Sequence, residues 1–386
     1  MDALTNSPAP PSLRSSRRLR VAIYAPHFAE YSYRLAAGLA RHCDVRLVLN
    51  RKDANQQWKL ADIAVTAPFE TRIRNMSLRR GGGLLGIPAS FLDIISFRPD
   101  VIHCHEVPEI YTSQLIRLLR PLGIPLVLTV HDAIPHSEGG SGTSPREDAW
   151  RGRMRAAASV VTTHGESCIA DFRRASPDFR GETVSSMHGV LMVPPGGRAV
   201  TEPESARILF FGRMWAYKGL DVFIDAIDML VQRGVPHEAI VAGRGPEMTR
   251  LGARMDAMPT VKTINAYISP ADTGRLFQSA SVVALPYKDA TQSGVLASAY
   301  GNSRPVVASA TGGIPDVVTD GVNGLLVPPG DAAALANALE RVLTSKPLAA
   351  TLTEGARQTA AGLLNWDRIA EGLLGSYHRL AGRTVS

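Results

Sequence analysis

The residues best placed to do chemistry in this chain sit where short apolar runs end. The strongest group is Phe211-Gly-Arg-Met-Trp-Ala-Tyr-Lys-Gly219. Gly212 lets the chain leave a strand tightly, and Arg213 and Lys218 then flank the start of the next helix. Two fixed cations beside a helix N-terminus form a site for a diphosphate, because free amides and the helix dipole add to their charge. Ala242-Gly-Arg-Gly-Pro-Glu247 follows the next apolar run. There Gly243 and Gly245 permit close backbone approach to a ligand, and Pro246 starts a helix. Leu285-Pro-Tyr-Lys-Asp-Ala-Thr-Gln-Ser-Gly-Val295 again places polar residues and a glycine after a strand. The amides of Gly294 and Val295 are suited to receive phosphate, and Thr291, Gln292 and Ser293 to bond sugar hydroxyls. In the first half, His27, His105-Glu106 and His131-Asp132 also fall directly after apolar runs.

The elements that must position these residues alternate. Strands are expected at Arg20–Pro26, Val45–Leu49, Asp100–Cys104, Pro125–Val130 and Ser159–Thr163, with helices at Tyr31–Arg41, Ile110–Arg120 and around Trp150–Ala158. Residues 191–205 hold three prolines and two glycines and read as a linker. A second series follows, with strands at Arg207–Phe211, Ala239–Ala242, Val261–Asn265, Val282–Pro286 and Pro305–Ser309. Its helices are expected at Leu220–Arg233, 247–257, 270–280, 294–300, 331–344 and 366–381. Short β-branched runs alternating with helices indicate parallel sheets covered on both faces, in which ligands bind beyond the carboxyl ends of the strands. The fold class is therefore α/β with two doubly wound, Rossmann-like domains facing a cleft. The expected divisions are a disordered tail over 1–19, an N-terminal domain over 20–195, a C-terminal domain over 206–365 and a closing helix over 366–386.

Bulk properties narrow the function. The chain has 386 residues, enough for two cores, with 45% hydrophobic and 20% charged residues. No apolar run approaches the roughly 20 residues of a spanning helix, and Val21–Ala25 is too short for a signal-peptide core. Three cysteines (Cys43, Cys104, Cys168) without a CxxC pair fit a reduced cytoplasm, not a disulfide framework or a zinc site. The net charge is +7; residues 1–200 carry 25 basic and 18 acidic groups, so the excess lies wholly in the first half. Its clusters include Arg72/Arg74/Arg79/Arg80, Arg151/Arg153/Arg155 and Arg173/Arg174. A basic half invites an anionic partner, whether nucleic acid, an anionic membrane leaflet or a phosphate-bearing substrate, or is a solvated face; of these the expectation taken is the anionic membrane, with no nucleic acid.

Together, residues 207–331 closely resemble the retaining GT-B glycosyltransferases, specifically their family 4. The resemblance rests on the G-R-x4-K-G element at 212–219, the Gly243-Arg-Gly-Pro246 turn, Pro305-Val-Val-Ala-Ser309 with Gly312-Gly-Ile-Pro-Asp316, and the close Asp320-Gly-Val-Asn-Gly-Leu-Leu-Val-Pro-Pro-Gly-Asp331. The first half is similar more loosely, through Pro99-Asp-Val-Ile-His-Cys-His105, Leu128-Thr-Val-His-Asp132 and His188-Gly189. The segment from Trp366-Asp367 resembles the helix that returns to the first domain in that family. The chain departs from the pattern twice. Thr291 and Ser298 or Ala299 stand where the family carries two glutamates, as in a subgroup with Ala-Thr-Gln-Ser-Gly-Val, and Pro26-His-Phe-Ala-Glu30 replaces a Gly-Gly turn.

The resemblance implies a nucleoside-diphosphate sugar as donor, UDP- or GDP-linked, and a glycan or lipid-linked acceptor on the first domain, as in cell-surface polysaccharide or lipopolysaccharide synthesis. His131 would lie near the reacting sugar, with Arg213 and Lys218 on the diphosphate. Gly212, Gly243, Gly245 and residues 291–295 would hold the donor, and His27, Glu30, His105 and Glu106 the acceptor side. No cofactor and no metal are expected, since the chain lacks an Asp-x-Asp clamp; His103 and His105 with Asp132 imitate a metal site without a third ligand fixed by spacing. The first turn lacks the G-x-G-x-x-G that a dinucleotide dehydrogenase needs. Two rivals stay open on sequence: a silent nucleotide-sugar-binding partner subunit and a sugar-nucleotide epimerase. The protein is expected in the cytoplasm, peripheral on the inner face of the cell membrane.

Overall fold

The structure is a computed structural model that describes residues 17–57, 60–76, 83–134, 144–191 and 206–382. Most of the expected linker, the greater part of the expected tail, Arg79, Arg80 and the last four residues lie outside the described residues. The first series runs β1 (Arg20–Ala25), α1 (Ala29–Leu39), β2 (Asp44–Asn50), α2 (Arg51–Gln56), α3 (Leu60–Val65), β3 (Glu70–Arg74) and α4 (Gly83–Phe97). It continues with β4 (Val101–His105), α5 (Ile110–Leu119), β5 (Leu126–Thr129), α6 (Pro145–Ala157), β6 (Val160–His164), α7 (Glu166–Ala175) and β7 (Glu182–Ser186). The second comprises β8 (Arg207–Arg213), α8 (Leu220–Gln232), β9 (Glu238–Arg244), α9 (Pro246–Asp256), β10 (Val261–Asn265), α10 (Pro270–Ser279) and β11 (Val282–Leu285). After it come α11 (Gly294–Gly301), β12 (Val306–Ser309), β13 (Gly324–Val327), α12 (Ala332–Thr344), α13 (Lys346–Ala361) and α14 (Trp366–Leu380).

Each series forms one parallel sheet, ordered β3-β2-β1-β4-β5-β6-β7 and β10-β9-β8-β11-β12-β13. In both, the strand order reverses beside the first strand, so a ligand crevice opens past β1/β4 and past β8/β11. Central strands are apolar on both faces. Val21, Ala22, Ile23 and Ala25 of β1 are fully buried, as are Ile208 and Leu209 of β8. Edge strands carry charge instead: β3 reads Glu-Thr-Arg-Ile-Arg and none of its residues is buried. Charged edges discourage pairing with another chain.

Several elements lie where the sequence pattern assigned none: α2, α3, β3 and α4 before β4, then α7, β7, β13 and α13. Residues 17–19, expected as the end of a tail, are held in place. Arg17 pairs with Asp100 at 2.6 Å, and Leu19 is buried with its carbonyl accepting from the Asp44 amide at 2.8 Å.

The C-terminal helix α14 crosses back and packs along α1 in the first domain. Its Tyr377 hydroxyl meets His103 Nδ1 at 2.5 Å, and Asp367 pairs with Arg41 at 2.8 Å. Trp366 Nε1 donates to the Val190 carbonyl at 2.8 Å, and the Val190 amide donates to Leu364 O at 3.1 Å, so the two crossings run side by side. Gly38 makes the close approach possible. A Cβ there would lie 2.7 Å from the Trp366 carbonyl oxygen and 2.9 Å from Ala370 Cβ. Alanine for glycine inside a helix ordinarily gains about 0.5–1 kcal/mol. For Gly38→Ala the sign is expected to reverse, with a loss of about 1–3 kcal/mol from overpacking. Thermal melting checks this: a melting temperature equal to or above that of the parent chain contradicts the tight α1–α14 contact.

Candidate active site

Five histidines converge at the carboxyl ends of the first sheet. His103, His105, His131, His164 and His188 are each at most 9% exposed. The Ser32 hydroxyl donates to Phe28 O at 2.9 Å, so it accepts at 2.7 Å from His105 Nε2. That leaves His105 Nδ1 to accept from His131 Nε2 at 3.0 Å, and His131 Nδ1 to accept from His164 Nε2 at 3.0 Å. One tautomer therefore propagates through three rings from a serine anchored on the backbone. Burial drives all five away from the charged form: His103 is pushed down to about 3 and His188 to about 4, and His105, His131 and His164 fall well below the usual histidine range. Neighbouring imidazoles add to the effect for the last three.

Aromatic rings close this cluster. Phe28 stacks on His131 with centroids 3.9 Å apart, and Tyr31 sits edge-on to His105, His131, His188 and Trp366. Phe28 has φ 60°, the left-handed region, just before α1. A bulky residue at this turn is strained by of order 1–3 kcal/mol.

Opposite lies the basic arm of the second domain. Gly212 (φ 123°) and Gly243 (φ 148°) let β8 and β9 end together, where a Cβ on Gly243 would meet Gly212 O at 1.8 Å. Gly245 (φ 155°) similarly lies against Met214. Gly219 (φ 73°) presses on Pro286, and the Lys288 amide donates to Tyr217 O at 2.8 Å, which ties the loop after β8 to the loop after β11. Lys218 is thereby set 3.8 Å above the Tyr287 ring. Its pKa is pushed down to about 8, first by burial, with Arg213 adding like-charge repulsion and Tyr217, then Asp132, opposing it. Among the described residues, no ion pair neutralises Arg213 or Lys218. The N-terminus of α11 lies close by: a Cβ on Gly212 would touch Val295 at 3.4 Å, and Gly294 lies beside the His188 ring.

The two halves meet. The Thr291 hydroxyl donates to the Asp132 carboxylate across the cleft, and Cys168 Sγ contacts Thr291 O at 3.2 Å. Ser167 Oγ donates to Asp316 Oδ2 at 2.6 Å, and Tyr267 OH to Gln56 O at 2.8 Å. Gln292 and Ser293 join His164 and His188 around an interdomain cavity of about 20 Å³.

The structure thus brings His105, His131, Arg213, Lys218 and residues 291–295 together around one cleft. Two hydroxyls expected to serve the donor are already engaged. Thr291 is bonded to Asp132, and Ser293 caps α11 through the Leu296 amide at 3.1 Å while contacting the Tyr287 hydroxyl at 3.1 Å. The acceptor-side group divides. His27 pairs with Glu109 at 3.1 Å, which raises its pKa. The Glu30 carboxylate pairs with Arg34 at 2.8 Å, and the buried Glu106 carboxylate is held by Arg155 at 2.6 and 2.8 Å. Both glutamates are thus paired within the first domain. Phe28, Tyr31, Ser32, His164 and Tyr287 also line the site without having been given a role from sequence, and Trp366 joins them, read from sequence only as the start of the returning helix. His164 and Tyr287 stood where the strand-end rule points, each directly after an expected strand.

Comparison with known proteins gives the family and the fold. Residues 205–345 match the family Glycosyl transferases group 1, and residues 28–209 the Glycosyl transferase 4-like domain. The chain is 31% identical over 304 residues to a D-inositol 3-phosphate glycosyltransferase of Saccharomonospora viridis, covering 72% of this chain and 69% of the relative. It is 28% identical over 283 residues to an alpha-D-kanosaminyltransferase of Streptomyces kanamyceticus, covering 68% of this chain and 72% of that one. The fold is shared with a sucrose-phosphate synthase of Thermosynechococcus elongatus (TM-score 0.70, 19% identity, 95% of this chain and 100% of that one). It is shared also with Anabaena HepE, solved with UDP and glucose (TM-score 0.66, 17% identity, 94% and 100%).

Proposed function

The chain is a GT-B glycosyltransferase belonging to the glycosyl transferases of group 1, and from that premise we propose that it transfers a sugar, with retention and without metal, from a UDP- or GDP-linked donor to a glycan or lipid-linked acceptor. The acceptor belongs to cell-surface polysaccharide or lipopolysaccharide synthesis, met at the inner face of the membrane. The observation that carries this is the pair Arg213 and Lys218, without ionic partners among the described residues, beside the start of α11 and opposite a neutral histidine cluster.

In this reading the donor's C1–O bond to the diphosphate breaks as the acceptor oxygen bonds C1 on the same face. The acceptor proton passes to the departing phosphate oxygen. Charge gathers on the diphosphate, and Arg213, Lys218 and the amides at Gly294 and Val295 are preorganised to stabilise it. His131 orients the sugar and is not a free base, since both its ring nitrogens are engaged. Among the described residues no helix is long and apolar enough to cross a membrane, and the basic first half supports peripheral attachment.

Two measurements test the proposal. Thermal shift against a panel of nucleoside diphosphates and their sugars should give stabilisation by UDP or GDP, growing as RT ln(1 + [L]/Kd). Donor hydrolysis without acceptor should then persist in excess EDTA. Abolition by EDTA with rescue by magnesium or manganese contradicts a diphosphate held by cations and amides alone.

A further inference from the structure

We propose that the outer face of α4, together with the end of α5, is the surface by which the first domain docks on an anionic lipid bilayer. The inference rests on the membrane-side acceptor proposed above and assigns that attachment to named residues.

Helix α4 reads Gly-Leu-Leu-Gly-Ile-Pro-Ala-Ser-Phe-Leu-Asp-Ile-Ile-Ser-Phe. Its single charged group, Asp93, is buried and held by both Arg74 Nε and a terminal Arg74 nitrogen at 2.6 Å. Ile94 and Phe97 enter the core, with Ile87, Phe91 and Ile95 packed against it. The opposite side repeats at i, i+3, i+7 and i+11 through Leu85, Pro88, Leu92 and Ser96, all exposed. Leu85 is 73% and Leu92 59% exposed. A surface helix ordinarily turns charged or polar residues outward. Here it turns leucines outward, and α5, which packs beside α4, contributes Leu118 and the turn beyond it Leu122.

At the end of the strip where α4 and α5 finish, the exposed charge has one sign. Arg98 follows α4, and Arg117 and Arg120 lie beside Leu118; all three are exposed. Every acidic group from 83 to 124 is already paired: Asp93 with Arg74, Asp100 with Arg17, Glu106 with Arg155, and Glu109 with His27. An apolar strip edged by unopposed cations fits a bilayer whose acyl layer takes leucine and whose headgroups are anionic. A second copy of this chain fits less well, because its matching face offers the arginines no anionic group, as the headgroups of an anionic bilayer do. The strip runs from the cleft rim to the far end of the sheet, where α4 and α5 end. β3 ends at the cleft side, and Gly86 lies against Asn75 just past that end, so α4 starts at the rim.

The test is co-sedimentation of the full chain with vesicles of phosphatidylcholine alone or with 30 mol% phosphatidylglycerol. The parent chain is expected to pellet with anionic vesicles at low salt and to be released at 1 M salt, where the Debye length is about 3 Å. Leu85→Glu with Leu92→Glu, and separately Arg98→Gln with Arg117→Gln and Arg120→Gln, should each lower partitioning by roughly 100-fold. A control pair on the second domain, Val231→Glu with Val322→Glu, should leave it unchanged. Thermal shift by UDP or GDP, measured on every variant, reports the donor site independently. The proposal is overturned if the parent chain stays in the supernatant with anionic vesicles, or if both sets of variants bind like the parent. It is equally overturned if the leucine variants only convert a dimer to a monomer. Loss of vesicle binding with an intact nucleotide shift confines the failure to the surface; loss of the nucleotide shift in the parent strikes the transferase reading instead.

Discussion

Arg213→Ala and Lys218→Ala are each expected to lower kcat by about 2–4 kcal/mol of transition-state stabilisation, roughly 30- to 1,000-fold, while the fold survives. Arg213 is the last residue of β8 and Lys218 follows in the turn beyond it, neither with an ionic partner among the described residues, so removing either leaves no broken ion pair behind. What is lost is charge aimed at a departing diphosphate in a site partly shielded from water. Lys218 adds a pH signature. In the free enzyme its pKa is pushed down to about 8, so kcat/KM should fall as pH rises through 8 and the ammonium is lost. Arg213 repels that ammonium, so Arg213→Gln should move the falling limb to higher pH even as it lowers the plateau. Steady-state kinetics from pH 6.5 to 9.5, with melting curves to certify folding, decide the matter. Near-normal turnover in either folded variant would falsify the assignment.

The second large effect is on stability in mild acid. At pH 7.5 the five clustered histidines are neutral both in the fold and in the unfolded chain. Their folded pKa values are lowered, so as pH falls through 6.5 the unfolded chain takes up protons that the fold refuses. Stability therefore declines from about pH 6.5 down towards about 4, where His188 begins to protonate in place, and to about 3 for His103. By pH 5 each imidazole held neutral forfeits about 2 kcal/mol. Five such groups rival the roughly 5–15 kcal/mol by which a domain is stable. Urea unfolding at pH 7.5, 6.0 and 5.0 should show a steep fall in the midpoint for the first domain. An unchanged midpoint between pH 7.5 and 5.0 contradicts a neutral, buried cluster.

Much of the architecture was legible because a parallel sheet buries its strands on both faces. Runs such as Val21–Ala25 and Ile208–Phe211 could be little else, and the polar residues after them fell at the cleft by topology. The edge strand β3 escaped notice because its alternation of Glu, Thr, Arg and Ile carries no buried face. Helix α4 escaped for the opposite reason, being apolar all round with a proline inside, so that no 3.6-residue period emerges. At the site, the cations and glycines were readable from local turn chemistry. The histidine chain was not, since its hydrogen bonds join residues 26 to 73 positions apart and its tautomer is set by Ser32. Nor did sequence show that Glu30 and Glu106 find their arginine partners within the first domain, or that Thr291 bonds Asp132 across the cleft.

The return of α14 to α1 has a consequence for the order of events during synthesis. The first domain emerges from the ribosome early, yet part of its core, Trp366, Ile369, Leu373 and Tyr377, is translated nearly two hundred residues later. At about 5–20 residues per second, the first domain, its last strand made, waits roughly 10–40 s for this cover on α1. During that interval the nascent chain holds an unfinished surface, and the second domain, whose sheet and helices close among themselves, is complete before the first. The half that is made first is therefore the half that folds last.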